Sequence, residues 1–292
     1  MPTDIPAKSA TPKQRRTDAY FTAQAQFWKD LYNATSLYGA IHQERLAIAL
    51  DWITELALPQ AARILEVGCG AGLLSVELAK RDFVVTAIDS SEGMVELAQA
   101  RAAEAGVLER LMVKAGDAHA LPFATAAYDL VIALGVVPWL HSPVAALTEM
   151  ARVVKPNGYV IFNSDNRFRL NHVIDPRFTP LLAPVKQLAK RVAPQLGQVE
   201  RGAPNYYYSY STLKRLVQQA GLTIVRCLPL GFGPFTLFGL KLLPEAMSIK
   251  LHRRLQDLAS RGTPVLSSTG AQHLLITRRP ETGRQSGGQS SH

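Results

Sequence analysis

The sequence predicts a doubly wound α/β fold: one seven-stranded sheet, mostly parallel, with a C-terminal antiparallel strand. Three observations predict it. Apolar runs of strand length alternate with helical periodicities from about residue 60 to 164, the pattern of a sheet covered on both faces. The first run, ARILEVG, closes on a glycine cluster just before a helix. Acidic residues then stand at the ends of successive strands.

Taken in order, residues 18–32 predict a helix with Tyr20, Phe21, Phe27, Trp28 and Leu31 on one broad face, and residues 40–57 a second helix ending before Pro59. ARILEVG is the first strand, followed by a helix over 72–80. VVTAID is the second strand; Ser90 or Ser91 caps the next helix, which stops at Gly106. LMVKAGD and YDLVIAL are the third and fourth strands. Ser142-Pro143 opens a helix through Val153, and Pro156-Asn157-Gly158 turns into the fifth strand, YVIFNS. The alternation then breaks over 165–208, a proline-bearing insertion. A helix from Ser211 to Ala220 and two strands, LTIVRCL and AQHLLITRR, complete the sheet; between the strands lies the apolar stretch GFGPFTLFGLKLL and a further helix.

The expected organisation is a floppy tail over 1–17 and one domain over 18–279. That domain comprises a helical cap (18–58), a core (60–164), the insertion (165–208) and the end of the sheet (209–279), with a second tail over 280–292. Composition bounds the function. The chain has 292 residues, of which 47% are hydrophobic and 19% charged, ordinary for a globular protein. Two distant cysteines, Cys69 and Cys227, make neither a disulfide framework nor a metal cluster, so no metal and a reducing, cytoplasmic setting are expected. MPTDIPAKSATPKQRRT lacks a signal-peptide apolar core, and no stretch of 18 apolar residues predicts a membrane span. The net charge of +9 permits an anionic partner without choosing one.

The sharpest motif is Glu66-Val67-Gly68-Cys69-Gly70-Ala71-Gly72. Its strand–loop–helix position sets a ligand at the carboxyl edge of the sheet. A dinucleotide fingerprint needs its third glycine at 73, where this chain has Leu73. Glu66 would also repel a pyrophosphate and welcome an amino group. Asp89, 21 residues beyond Gly68, can accept both hydroxyls of a ribose. Asp117 can accept a hydrogen bond from an exocyclic amine. Three acids at three strand ends suit a nucleoside with a charged amino-acid tail and no phosphates.

EVGCGAG, AIDSS, AGDAHALPF, YDLVIALGVVPWL and EMARVVKPNGYVIF resemble, in order and spacing, the motifs of class I S-adenosylmethionine-dependent methyltransferases, which have this Rossmann-like sheet. The resemblance is strong over 60–165. It implies S-adenosyl-L-methionine as cofactor, with Glu66 holding the methionine amine through water or backbone. Gly68, Cys69, Gly70 and Gly72 would lie along the methionine, Asp89 and Ser90 at the ribose, and Met94 against the adenine. Asp117 would take the adenine amine with Ala118 N–H beside it, and Leu134 and Gly135 would face the sulfonium.

The stretch after the fourth strand resembles small-molecule methyltransferases of the ubiquinone-biosynthesis kind, which often have histidine where this chain has Trp139. His141 is the nearest replacement, and His172 and Asp165, after the fifth strand, are the other candidate bases. YFTAQAQFWKDLY resembles the first helix of such enzymes and of magnesium-porphyrin methyltransferases. Tyr20, Phe21, Trp139 and Asn166 are the expected acceptor contacts. The expected acceptor is an apolar small molecule (lipid-like, quinone or natural product) methylated on oxygen. PLLAPVKQLAKRVAP and GFGPFTLFGLKLL further allow a peripheral membrane contact. An RNA or protein methyltransferase is the alternative that the charge motivates, but no nucleic-acid-binding module is present in the sequence and no such partner is expected. A non-catalytic S-adenosylmethionine-binding protein is the other alternative.

Overall fold

In the computed structural model, residues 11–32, 34–175, 205–238 and 240–281 are described. The basic segment 180–194 and, from 282 on, the expected tail over 280–292 lie outside them. The chain begins with α1 (Pro12–Ala23), α2 (Ala25–Leu31) and α3 (Leu37–Glu55), followed by β1 (Arg63–Val67), α4 (Leu73–Lys80), β2 (Val84–Asp89), α5 (Glu92–Glu104), β3 (Leu111–Ala115) and β4 (Tyr128–Ala133). A 3₁₀ turn at Val137–Trp139 leads to α6 (Pro143–Val153), β5 (Val154–Asn166) and α7 (Leu170–Ile174). After residue 205 come β6 (Tyr207–Tyr208), α8 (Tyr210–Gln219), β7 (Thr223–Leu230), a hairpin of β8 (Thr236–Leu237) and β9 (Leu240–Lys241), α9 (Glu245–Ser260), α10 (Leu266–Thr269) and β10 (Gln272–Arg278).

The main sheet runs β3-β2-β1-β4-β5-β10-β7. All pairs from β3 to β5 are parallel, and β10 is antiparallel to both β5 and β7. The order reverses between β1 and β4, so a crevice opens beyond their carboxyl ends. Alternation along the strands feeds two cores. Leu65, Val131 and Phe162 point to one face and Ile64, Leu130 and Ile161 to the other, all fully buried.

The structure corrects the predicted elements in three places. The first helix starts at Pro12 rather than 18, so residues 11–17 are no tail: the Thr11 side chain accepts from Gln14 N–H (3.1 Å) and Pro12 fills the first turn. The predicted helix 18–32 is two helices that break at Gln24. The sheet has an eighth, two-residue strand, β6, which pairs in parallel with Asp165 and Asn166 of β5. Both ends of the predicted insertion are therefore anchored in the sheet. Alternation could not reveal a two-residue strand.

Candidate active site

The glycine loop leaves β1 with Gly68 and Cys69 N–H both donating to the Ile88 carbonyl (2.7 and 3.0 Å), which ties the loop to β2. Gly68 sits at φ +69, and a Cβ there would meet Val136 at 2.3 Å; Gly72 caps α4 at φ +76, and a Cβ there would meet Ala98 at 2.9 Å. Both positions therefore demand glycine. The loop floors a cavity of about 630 Å³ that runs from the β1–β3 ends to the helical cap, a size typical of small-molecule sites.

Of the predicted cofactor set, Glu66, Gly68, Cys69, Gly70, Asp89, Ser90, Met94, Asp117, Ala118, Leu134 and Gly135 all line this cavity, whereas Gly72 supports the loop from behind. Glu66 is buried, and Ser75 Oγ donates to it. Burial, with Asp89 adding to it, pushes the Glu66 carboxyl up to about 8. Asp89 accepts one backbone N–H on each oxygen, from Gly70 and from Ser91 (both 2.9 Å), which aims the carboxylate and leaves lone pairs for ribose hydroxyls. Burial still raises its pKa against those bonds. Asp117 Oδ1 accepts from both the backbone N–H (2.9 Å) and Nδ1 (2.7 Å) of His119. His119 thereby holds the Asp117 carboxyl below the usual range, so it is charged and ready to accept from an amine.

The predicted acceptor residues divide. Tyr20, Phe21 and Trp139 line the cavity together: Tyr20 stacks on Trp139 (5.9 Å, 25°) and Phe21 meets it edge-on (5.2 Å). The predicted contact Asn166 does not join them. Its amide donates to the Ser268 and Gly270 carbonyls (2.8 Å each) and its oxygen accepts from Phe168 N–H, which fixes the turn into β10. Asp165 lines the cavity and is held by Gln272 (3.0 Å), Asn205 (3.3 Å) and Arg169 (3.4 Å). His141 and His172 are not among the lining residues. His141 stacks on His119 at 3.7 Å, backing Asp117, and burial lowers its pKa. His172 lies over Tyr207 (5.6 Å), with Nδ1 3.3 Å from the Arg167 carbonyl.

Two features escaped the sequence reading. The first is the tether that seats α1 over the cofactor edge: Ser90 Oγ donates to Asp18 (2.6 Å), and Thr22 and Ser91 hydroxyls meet at 3.0 Å. The second is Arg45, only 4% exposed, whose terminal nitrogens face Gly135. Its signal was available: Ile41, His42, Arg45, Ala49 and Trp52 form one helical stripe, and a charge on a buried stripe needs a reason.

Residues 65–162 match the family model of a methyltransferase domain. Ubiquinone biosynthesis O-methyltransferases are relatives. That of Paracidovorax citrulli is 32% identical over 149 residues, 51% of this chain and 61% of the relative. That of Xanthomonas axonopodis pv. citri is 30% identical over 167 residues, 57% and 67% respectively. The chain thus spans only about three fifths of the length of several relatives it matches. Magnesium protoporphyrin IX methyltransferase from Synechocystis, solved with bound S-adenosylhomocysteine, shares the fold (TM-score 0.60, 17% identity, 91% of this chain and 99% of that one). With the ordered acids and the glycine loop in one cavity at the sheet's switch point, these matches place the chain in the class I S-adenosylmethionine-dependent methyltransferases.

Proposed function

We propose that the protein transfers a methyl group from S-adenosylmethionine to an oxygen of an apolar small molecule. One observation carries this reading: a single cavity joins the cofactor edge at Glu66, Asp89 and Asp117 to an aromatic wall of Tyr20, Phe21, Trp28 and Trp139. Bound in the first half, S-adenosylmethionine supplies a methyl group on a positively charged sulfur, which an oxygen attacks in line. The chain's task is then alignment and exclusion of water. Asp89 and Asp117 orient the nucleoside, and Glu66 holds the amine once its carboxyl ionises. Leu134 and Gly135 form the wall beside the sulfur. Helix α1, tethered through Asp18 and Thr22, covers the edge and brings Tyr20 and Phe21 against the acceptor. Of the three candidate bases only Asp165 lines the cavity. An acceptor arriving as a hydroxyl would give its proton to Asp165, while one arriving ionised needs no base.

We also propose that the acceptor enters from a membrane surface at the cytoplasmic face. The β8–β9 turn exposes Phe238 (65%) and Leu240 (74%), and its neighbours Phe235 and Lys241 line the cavity. No helix among the described residues is long and apolar enough to cross a membrane, so such contact would be peripheral.

The test is calorimetric titration with S-adenosylmethionine, S-adenosylhomocysteine and, as control, NADH. Labelled methyl transfer to a panel of apolar phenols and acids follows. Binding of the first two alone and label in an organic extract are expected. Binding without transfer to any acceptor, with label entering added RNA or protein instead, would overturn the small-molecule reading.

A further inference from the structure

Arg45 on α3 is buried, lines the cavity and has no carboxylate in contact with it among the described residues. Its Nη2 donates to the Tyr32 hydroxyl (3.1 Å), and its Nε has no hydrogen-bond partner. Of the other two cavity arginines, Arg101 and Arg169, Arg169 is by contrast matched by Asp165 (3.4 Å) and the Tyr207 ring (4.4 Å). A guanidinium out of water without a counter-ion is costly, and a fold keeps one there when a ligand completes it. The surroundings complete it only in part: Asp165 of the same cavity attracts Arg45 through space, but it is in contact with Arg169, Gln272 and Asn205 and not with Arg45. Tyr38, raised to about 12 by burial, and His42, lowered to about 3 by burial and then by Arg45, are both neutral at pH 7. His42 Nδ1 is engaged with the Tyr38 carbonyl (2.9 Å).

Position says what would complete it. A Cβ placed on Gly135 would lie 3.5 Å from both terminal nitrogens of Arg45. The guanidinium therefore faces the wall assigned to the sulfonium. Two cations across a small gap repel unless an anion lies between them, and a guanidinium presents two parallel N–H groups to such an anion.

We propose that Arg45 is the acceptor-binding residue, and that the acceptor is an acidic apolar molecule whose carboxylate is the methylated group. This rests on the methyltransferase reading above. In the step, a carboxylate oxygen lone pair forms the new C–O bond as the S–CH₃ bond breaks, and that bond's electron pair stays on sulfur. The negative and positive charges cancel, and no proton moves. Asp165 is then needed to hold Arg169 and Gln272 rather than as a base, and the absence of His141 and His172 from the lining has a simple meaning.

The experiment uses protein saturated with S-adenosylhomocysteine, titrated with 2-naphthoate and with its neutral isostere 2-naphthamide. The naphthoate is expected to bind at least about tenfold tighter, the scale of a charge-assisted bidentate contact. Arg45→Gln should abolish the preference while S-adenosylhomocysteine affinity stays within about twofold; Arg45→Lys should retain part of it. Should Arg45→Gln not fold, the wild-type ratio together with Arg45→Lys still decides. Equal binding of the two probes, or of neither, by wild-type protein that binds S-adenosylhomocysteine overturns the proposal and leaves the cofactor reading standing. Failure to bind S-adenosylhomocysteine overturns that reading instead. A preference that survives in folded Arg45→Gln also overturns the assignment. 2-Naphthol as a third probe separates an ionised phenol from a carboxylate: tighter binding than the naphthoate would replace the carboxylate and so overturn that part.

Discussion

The two halves of the cavity are built by different means. The cofactor half is made by strand ends and the turns that follow them, so backbone geometry places most of its groups: Gly68 and Gly72 by positive φ, Asp89 by two N–H donors, Asp117 by the His119 N–H with that residue's ring beside it. The acceptor half is made by side chains of α1, α2, α3 and the turn after β4, held by ring contacts such as Tyr20–Trp139, with the buried Arg45 among them. A site made by backbone tolerates little change in sequence, and one made by helix faces can be rewritten by any substitution on the face. The first half should therefore respond to mutation as an all-or-none binding site and the second as a set of adjustable preferences.

The largest effect is expected from Asp89→Ala. It removes the acceptor for the ribose and also leaves the N–H groups of Gly70 and Ser91 without their partner. Hydrogen bonds to a charged group contribute about 1.5–3 kcal/mol each, so S-adenosylmethionine affinity should fall about a hundredfold or more in calorimetry. Affinity within threefold of wild type would remove Asp89 from the ribose site and end the contrast between the halves.

The same contrast explains what the sequence could show. Strand ends were legible because β1, β2 and β4 are short, buried apolar runs, and because the acids and glycines that follow them are spaced by the fold itself. The added strand β6 was not legible, since two residues carry no period. The early start of α1 was missed because Lys13, Arg15 and Arg16 read as a charged tail; the helix is held instead by its cap at Thr11 and by Asp18 reaching Ser90 across 72 residues. Asn166 was expected in the site because it follows the predicted fifth strand at the ligand edge, but pairing carries β5 two residues further, to Asn166 itself, whose amide closes the turn into β10. The acceptor half depends on contacts between segments distant in the chain, such as Arg45 with Gly135, and no local pattern encodes those.

A second effect, smaller and confined to the cofactor half, is a pH dependence. The empty-site Glu66 carboxyl is protonated below about 8, but holding an ammonium requires the carboxylate. Binding should therefore release a proton. Affinity should rise with pH by up to about tenfold per unit between pH 6 and 8, and level off where the ligand's own α-amino group, ordinarily near 8, loses its charge. The sign for folding is opposite. A carboxyl whose pKa is raised in the folded state binds protons more tightly there than when unfolded, so the empty protein loses this contribution as pH rises from the ordinary carboxylate range toward 8. Glu66→Gln should flatten both profiles, read by calorimetry in buffers of different ionisation enthalpy and by thermal unfolding. Proton uptake on binding, or a profile unchanged in Glu66→Gln, would contradict the role.

The smallest effect is expected at the mouth of the acceptor half, where the comparison turns from chemistry to access. Phe238 is held at φ 50, a left-handed conformation in which a bulky side chain is unfavourable, and yet it is 65% exposed. Leu240 and Leu242 are exposed beside it, and exposed Lys250, Arg253 and Arg254 lie on α9 just after Met247. Exposed apolar groups on the turn and exposed basic groups on the helix that follows it suit an anionic lipid surface. Phe238→Asn combined with Leu240→Ser keeps the turn, since asparagine accepts positive φ more readily, and removes the two most exposed apolar groups of the β8–β9 hairpin. Flotation with vesicles containing anionic phospholipid should fall about fivefold, less than full burial of two such side chains would yield because both would insert only partly. S-adenosylhomocysteine affinity should not change, because neither residue lines the cavity. Equal flotation of variant and wild type would mean that the acceptor reaches Arg45 from water, and the acceptor half would then owe its aromatic wall to the acceptor alone.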